Sequence, residues 1–169
     1  MTNRIRRVSH GAIIAAMYIA LTHMQNLLLP GSATWAIQFR ASEALCVLAF
    51  FTPAAVPGLT LGCLLFNITY SGALPLDLLV GSLATFLAAA GMRLLKKHLP
   101  RWYLLPGLLL PAITNGILVG WELTVYIGGG FLLNAIYVAI GETAVLLTLG
   151  TALHYAVVRR KLDQKFFCV

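Results

Sequence analysis

Charged side chains recur inside apolar segments of this chain, where an isolated charge is costly. Arg40 and Glu43 open one apolar run, and Asp77, Glu122 and Glu142 lie in others. A charge at the centre of a bilayer costs at least about 2.5 kcal/mol on insertion scales, so these groups are expected to form a site. One ionised carboxylate accepts two parallel hydrogen bonds, which predicts a cationic or donor-rich ligand.

Amide and aromatic residues accompany the acids. Asn67 and Asn134 are predicted to lie near the same membrane boundary as Glu43, Asp77 and Glu122. At about 1.5 Å per residue, all of these lie within roughly 10 Å of one membrane boundary, with Glu142 deeper. Five aromatic residues are close enough to supply a stacking wall: Trp35, Phe39, Tyr70, Trp121 and Tyr126. One polar residue per helix at a common depth predicts a half-buried pocket that opens outward.

Each site residue also has a structural interpretation. Arg40 and Glu43 are three positions apart and could pair on one helix face. Asp77 could be an acid in a first helical turn, favoured by the helix dipole. Glu142 could be a buried acid that joins helices, and Asn67, like the other asparagines, could bond a neighbouring helix.

Composition fixes the class of protein that must position these residues. The chain has 169 residues, of which 60% are hydrophobic and 10% charged. A soluble domain would carry roughly a quarter charged residues, so we predict an all-α integral membrane protein with one membrane domain over residues 1–169.

Basic residues predict the topology. The net charge is +7, but eleven of the twelve basic residues form three clusters rather than a stripe, so nucleic acid is not expected as a partner. If the clusters mark cytoplasmic ends, both termini are cytoplasmic and the number of spans is even. We therefore predict six spans, at about 9–29, 36–51, 58–70, 76–95, 104–123 and 131–156.

The first segment carries small residues at four-residue spacing. Ala12, Ala16 and Ala20 lie on one helix face, and small residues let another membrane helix approach closely. This face could be a docking surface, or it could reflect the frequency of alanine in membrane helices.

Catalytic and metal-binding motifs are not found. The sequence contains no HExxH, no GxSxG and no phosphate-binding glycine loop. Its three cysteines show no CxxC spacing and its four histidines no metal-ligand spacing, so neither a metal nor a cofactor is expected.

Five stretches of the chain resemble the QueT family of queuosine-precursor transporters. The resemblance covers most of the chain from the first segment to the sixth. It is carried by FRASEAL from Phe39, PAAVPGLTLGC from Pro53, GALPLDLLVGSLAT from Gly72, NGILVG from Asn115 with Glu122, and FLLNAIYVAIGE from Phe131.

The resemblance implies a six-helix S component of an energy-coupling factor (ECF) transporter in a bacterial plasma membrane. Such a protein binds a deazaguanine base, queuine or its aminomethyl precursor, from outside. The implied partners are a transmembrane coupling subunit, which meets the alanine face of the first helix, and two cytoplasmic ATPases that hydrolyse ATP. The family is not an enzyme family.

We combine the resemblance with the residues in one hypothesis. Glu122 or Glu43 takes the guanine-like edge of the base, and Asp77 or Glu142 takes the ammonium group. Two amides, Asn67 and Asn134, pair with the ring oxygen and the pyrrole nitrogen. Three alternatives stay open: an S component for another vitamin, a proton-coupled carrier in which Glu142 and Asp77 relay protons, and a membrane enzyme.

Overall fold

The computed structural model describes residues 2–30, 32, 39–70 and 75–163, and all regular structure in this part of the chain is helical. The elements are α1 (Thr2–Leu28), a 3-10 helix (Ala41–Phe50), α2 (Ala55–Thr69), α3 (Asp77–His98), α4 (Leu104–Ile127), α5 (Phe131–Val145), a π segment (Leu146–Gly150) and α6 (Thr151–Arg159). The prediction of an all-helical membrane chain is confirmed for these residues.

Helix length separates the elements into two groups. Four helical runs are long and apolar enough to cross a membrane: Arg4–Leu28, Asp77–His98, Leu104–Ile127 and Phe131–Arg159, the last formed by α5, the π segment and α6. The 3-10 helix and α2 are apolar but shorter. Six spans and cytoplasmic termini therefore remain predictions.

The 3-10 helix forms the core of the bundle. Nine of its ten residues, from Ser42 to Phe50, are buried. Apart from Ser42 and Glu43 its residues are apolar on every side, and a helix without a polar face is buried either in protein or in lipid. Here other helices surround it. It packs against α1, α2, α3, α4, α5, the π segment and α6.

Glycines bring α1 and α2 together as parallel neighbours. A Cβ placed on Gly58 would lie 2.6 Å from the carbonyl oxygen of Gly11, and one on Gly62 would lie 2.7 Å from Cβ of Tyr18. Further along, the His23 ring and the Thr69 hydroxyl are 3.0 Å apart. Residue numbers in these contacts increase together on α1 and α2, so the two helices run parallel.

Helix α4 runs antiparallel to α3 and to α5. Gly91 of α3 faces Leu110 of α4, while Gly116 and Gly120 of α4 face Ala135 of α5. These directions place the start of α1, the end of α3, the start of α4 and the end of α6 at one end of the bundle, which we call the basic end. Its described cations are Arg4, Arg6, Arg7, Arg93, Lys96, Lys97, Arg101, Arg159, Arg160 and Lys161.

Candidate functional site

The opposite end of the bundle contains a buried layer of polar side chains. It is formed where α2 and α4 end and where the 3-10 helix, α3 and α5 begin. The predicted residues Arg40, Glu43, Asn67, Asp77, Glu122, Asn134 and Glu142 are all buried. Trp35, also predicted for this site, lies outside the described residues. The layer is defined here as these seven buried residues.

Arg40 lies at the centre of the layer, immediately before the 3-10 helix. Its side chain is 2% exposed and interacts electrostatically with Asp77 and Glu43. Gln25 of α1 holds the backbone on both sides of Arg40: its amide nitrogen donates to the carbonyl oxygen of Phe39, and its oxygen accepts from the Ala41 N–H at 2.7 Å. The layer therefore contains one cation in a fixed position.

Asn67 joins α2 to the first turn of α3. Its Nδ2 donates to the Asp77 carbonyl oxygen at 2.7 Å, while its buried Oδ1 accepts no hydrogen bond from the described residues. Across from it, a Cβ on Gly81 would lie 3.2 Å from Asn67 Nδ2 and 3.8 Å from a guanidinium nitrogen of Arg40. The small residue at Gly81 thus leaves room for both side chains.

Glu122 is a buried acid near the end of α4. It is 0% exposed and interacts electrostatically with Asp77 and with Arg40. No N–H, hydroxyl or thiol of the described residues donates to its oxygens, and its carboxyl lies within hydrogen-bonding reach of the Asp77 carboxyl. Buried polar groups are normally satisfied, and one that is not requires a ligand, a water or another partner.

Glu43 has a different environment. Its Oε1 accepts from the Tyr18 hydroxyl at 2.6 Å, and its Oε2 accepts from the Cys46 thiol at 3.1 Å. Glu142, on α5, interacts electrostatically with Glu43 and Arg40, but its oxygens accept nothing from the described residues. Internal donors therefore engage both oxygens of Glu43, whereas Glu142 carries two unengaged ones.

Asn134 holds the turn between α4 and α5. Its Nδ2 donates to Thr124 Oγ1 at 3.0 Å and to the Gly128 carbonyl oxygen at 3.1 Å. Gly128 and Gly129 adopt φ values of 83° and 79°, a region that favours glycine. The amide donors of Asn134 are thus used within this turn, while the residue lies at the same end of the bundle as the acids.

Several polar residues of the interior were not found by sequence reasoning. Tyr18 is fully buried against Glu43, and the Thr22 hydroxyl donates to Ser42 Oγ at 2.7 Å. The Cys46 thiol donates to Glu43 Oε2. These residues could have been found in the sequence as polar side chains within apolar segments, which is how the acids were found.

Unpartnered polar atoms extend beyond the predicted residues. Asn26, Ser82 and Asn115 are buried, and their side-chain polar atoms make no hydrogen bond to the part of the chain that the structure describes. No group of three or more His, Cys, Asp or Glu residues among the described positions has the arrangement of a metal site. The unpartnered carboxylate and amide atoms of the layer could take hydrogen bonds from a ligand with several polar groups.

The three alanines predicted for docking lie on the outer surface of α1. Ala12, Ala16 and Ala20 are exposed, whereas the neighbouring Ala15 is buried. The backbone of Ala15 packs against Gly62, where an added Cβ would lie 3.1 Å from the Ala15 carbonyl oxygen. Helix α1 thus uses one small-residue face within the bundle and leaves the other uncovered.

Together the apolar helices and the enclosed polar layer define a multi-pass helical membrane protein with buried polar side chains inside the bundle. The model of the QueT transporter family matches residues 8–159. The chain belongs to the QueT transporter family, and its role is therefore transport rather than catalysis. Searches of curated proteins and of solved structures gave no match.

Proposed function

We propose that this chain is the substrate-binding S component of an ATP-driven ECF importer. Its ligand would be a 7-deazaguanine precursor of queuosine, queuine or the aminomethyl form, taken up from the extracellular side of a bacterial plasma membrane. Membership of the QueT family supports a queuosine precursor as cargo. The observation that supports the proposal is the buried carboxyl of Glu122, which receives no N–H, hydroxyl or thiol donor from the described residues and lies beside Asp77 and Arg40.

Glu122 suits the guanine-like edge of the ligand. That edge presents an N1–H and a 2-amino group side by side, and an ionised carboxylate accepts two such parallel bonds. Glu43 is the weaker candidate because the Tyr18 hydroxyl and the Cys46 thiol already donate to its oxygens.

The other groups have complementary assignments. Asp77 or Glu142 would hold the ammonium of the aminomethyl form, since an ionised carboxylate pairs with a cation. Both also interact with Arg40, which compensates part of the negative charge of the layer. The unengaged Oδ1 of Asn67 would accept from the pyrrole N–H, whereas the ring oxygen needs a donor. Asn134 is less suited to donate to the ring oxygen, because its amide nitrogen already donates to Thr124 and Gly128.

The proposed partners are a transmembrane coupling subunit and two cytoplasmic ATPases. The exposed face of Ala12, Ala16 and Ala20 supports docking of the coupling subunit, because small residues let a second helix pack closely in lipid. ATP hydrolysis would take place in the partners, and this chain would supply specificity.

Mass spectrometry of the small molecule that copurifies with the detergent-solubilised protein tests the ligand. A thermal-shift panel of queuine, the aminomethyl form, guanine and several vitamins then tests selectivity. We expect a deazaguanine to copurify and to give the largest stabilisation. A larger shift with an unrelated vitamin would identify an S component of different specificity.

Binding by four variants tests the assignment of the acids. These are Glu43→Gln, Asp77→Asn, Glu122→Gln and Glu142→Gln, each measured by the same thermal shift. We expect at least the Glu122 and Asp77 variants to lose affinity. If all four variants keep tight binding, the polar layer is not the ligand site.

A proton-coupled carrier is the second candidate, favoured by the buried, unengaged carboxylate of Glu142. Uptake assays separate it from the ATP-driven importer. Uptake that continues in cells lacking the ATPases, and stops when the proton gradient is dissipated, would establish the carrier and exclude the importer.

A further inference from the structure

A cleft of about 630 Å³ opens at the basic end of the bundle, on the side opposite the polar layer. It lies where the 3-10 helix ends, α2 begins and α3 completes its last turns. Its apolar lining consists of Phe50, Val56, Ala90 and Leu94, and its cations are Arg93, Lys96 and Lys97. An apolar floor and a cationic rim are therefore present in one cleft.

The three cations follow one side of α3. Positions 93, 96 and 97 are three and four residues apart, which brings their side chains to one face of a helix. Among the described residues no salt bridge joins Arg93 or Lys97 to an acid, so the guanidinium of Arg93 and the ammonium of Lys97 remain available to an anion.

Lys96 has a different role from its neighbours. Its ammonium lies 4.4 Å from the centroid of the Phe51 ring and 5.2 Å from that of the Tyr103 ring. Asp163 also interacts with it electrostatically. These contacts hold Lys96 against the aromatic wall of the bundle. Arg93 and Lys97 thus carry most of the cleft's capacity for an external anion.

We propose that this cleft binds the headgroup of an anionic phospholipid, with the acyl chains lying along the apolar surface of α3. Two available cations at the end of a long apolar helix match a phosphate at the bilayer boundary. Leu94 is 55% exposed beside them and continues the apolar floor onto the outer surface of the bundle. A free phosphate would use the cations alone, whereas a lipid would use the whole cleft.

Native mass spectrometry and lipid titration of the full chain in detergent micelles test this site. The probes are phosphatidylglycerol, phosphatidylcholine and inorganic phosphate. The test variant is Arg93→Gln with Lys97→Gln. The matched control is Arg159→Gln with Arg160→Gln, which removes the same charge from exposed positions outside the cleft.

We expect phosphatidylglycerol to be retained in preference to phosphatidylcholine. Each cation near an anionic lipid contributes roughly fivefold in affinity, so the test variant should bind about 25-fold more weakly. The control should bind as the unmodified chain does, and the melting temperature in lipid-free detergent shows whether each variant is folded.

Three results would overturn the proposal. Equal losses in the test and control variants would mean general attraction to a basic surface. Equal retention of the two lipids would mean that the headgroup is not recognised. Competition of millimolar inorganic phosphate with phosphatidylglycerol at the same sites would identify a soluble phosphate as the ligand. Deazaguanine binding by the test variant should be unchanged, so this proposal and the proposed transport function fail separately.

Discussion

The buried acids of this chain differ in what surrounds each carboxylate. Glu43 accepts from a phenol and a thiol, whereas Glu122 and Glu142 receive no N–H, hydroxyl or thiol donor from the described residues. A carboxylate with internal donors contributes mainly to the stability of the fold, because its hydrogen-bonding capacity is already used. A carboxylate without them is available to a ligand, which distinguishes Glu122 from Glu43.

Glu122→Gln should weaken binding of queuine or the aminomethyl form by roughly 10- to 100-fold. A hydrogen bond to a charged group contributes about 1.5–3 kcal/mol, and glutamine removes the charge and one acceptor. Titration of the purified protein, followed by thermal shift, measures the loss. Asp163→Asn, an acid at the basic end, should leave binding unchanged. Unaltered affinity of the Glu122 variant would exclude its role at the guanine-like edge.

Tyr18→Phe should lower the free energy of unfolding by about 1–3 kcal/mol, because a buried Glu43 oxygen loses its 2.6 Å donor. Thermal unfolding in detergent without ligand measures this effect. The control is Tyr155→Phe, at a side chain that is 59% exposed. Equal stability of the two variants would mean that the Tyr18 hydroxyl contributes little to holding Glu43.

At the scale of the elements, the first helix connects the surface to the polar layer. Its exposed alanines lie on one side, while Tyr18, Thr22 and Gln25 bond to the 3-10 helix or its first residues on the other. Glycines of α2 fix its position at van der Waals contact. A partner that packs on the alanine face therefore acts on a helix that carries donors to the layer.

Gly62→Ala should destabilise the bundle by about 1–3 kcal/mol, the usual cost of overpacking. Its Cβ would lie 2.7 Å from Cβ of Tyr18 and 3.1 Å from the Ala15 carbonyl oxygen, so α1 and α2 would have to separate. Thermal unfolding measures the change, with Gly130→Ala as control because nothing lies within 4 Å of a Cβ there. A Gly62 variant as stable as the control would contradict this packing.

Ala16→Leu should leave folding and deazaguanine binding intact but reduce assembly with the coupling subunit. A leucine on the exposed face keeps a partner helix at a distance, and we expect roughly tenfold less complex, equivalent to about 1.4 kcal/mol. Copurification from cells that express all subunits measures assembly. Ala152→Leu, an exposed alanine of α6, is the matched control. Normal assembly of the Ala16 variant would mean that the partner docks elsewhere.

At the scale of the whole molecule, the two ends differ in chemistry. One end carries the buried polar layer, and the other carries the basic clusters and the aromatic contacts around His154, whose Nε2 lies 2.9 Å from the Tyr103 hydroxyl. Positive residues favour the cytoplasmic side of a membrane. The polar layer is therefore predicted to face outward.

Reporter fusions test this orientation. A fluorescent protein that folds only in the cytoplasm, fused after Val169, should fluoresce. A phosphatase inserted at Gly129, in the turn between α4 and α5, should be active because this turn belongs to the polar end. If the C-terminal fusion did not fluoresce and the Gly129 insertion were inactive, the orientation would be the opposite of the one predicted. The ligand would then enter from the cytoplasmic side.

Much of this architecture could be predicted from the sequence, because hydropathy and punctuation by proline and glycine determine where helices begin and end. The common depth of Glu43, Asp77 and Glu122 also follows from counting residues along each helix. The direction of each side chain does not follow from counting. Asn134 therefore bonds its own turn, and Tyr18, located in a segment interpreted only for its alanines, is a neighbour of Glu43.

The 3-10 conformation of Ala41–Phe50 was likewise not predicted, since an apolar run of ten residues satisfies either helix type. A rise of about 2.0 Å per residue extends this segment to roughly 20 Å, against about 15 Å for an α-helix. The smaller number of residues per turn therefore lets a ten-residue helix extend from Arg40 in the polar layer to Phe50 near the basic end. If this segment were an α-helix, it would be about 5 Å shorter, and Arg40 and Phe50 would lie closer together by about that distance.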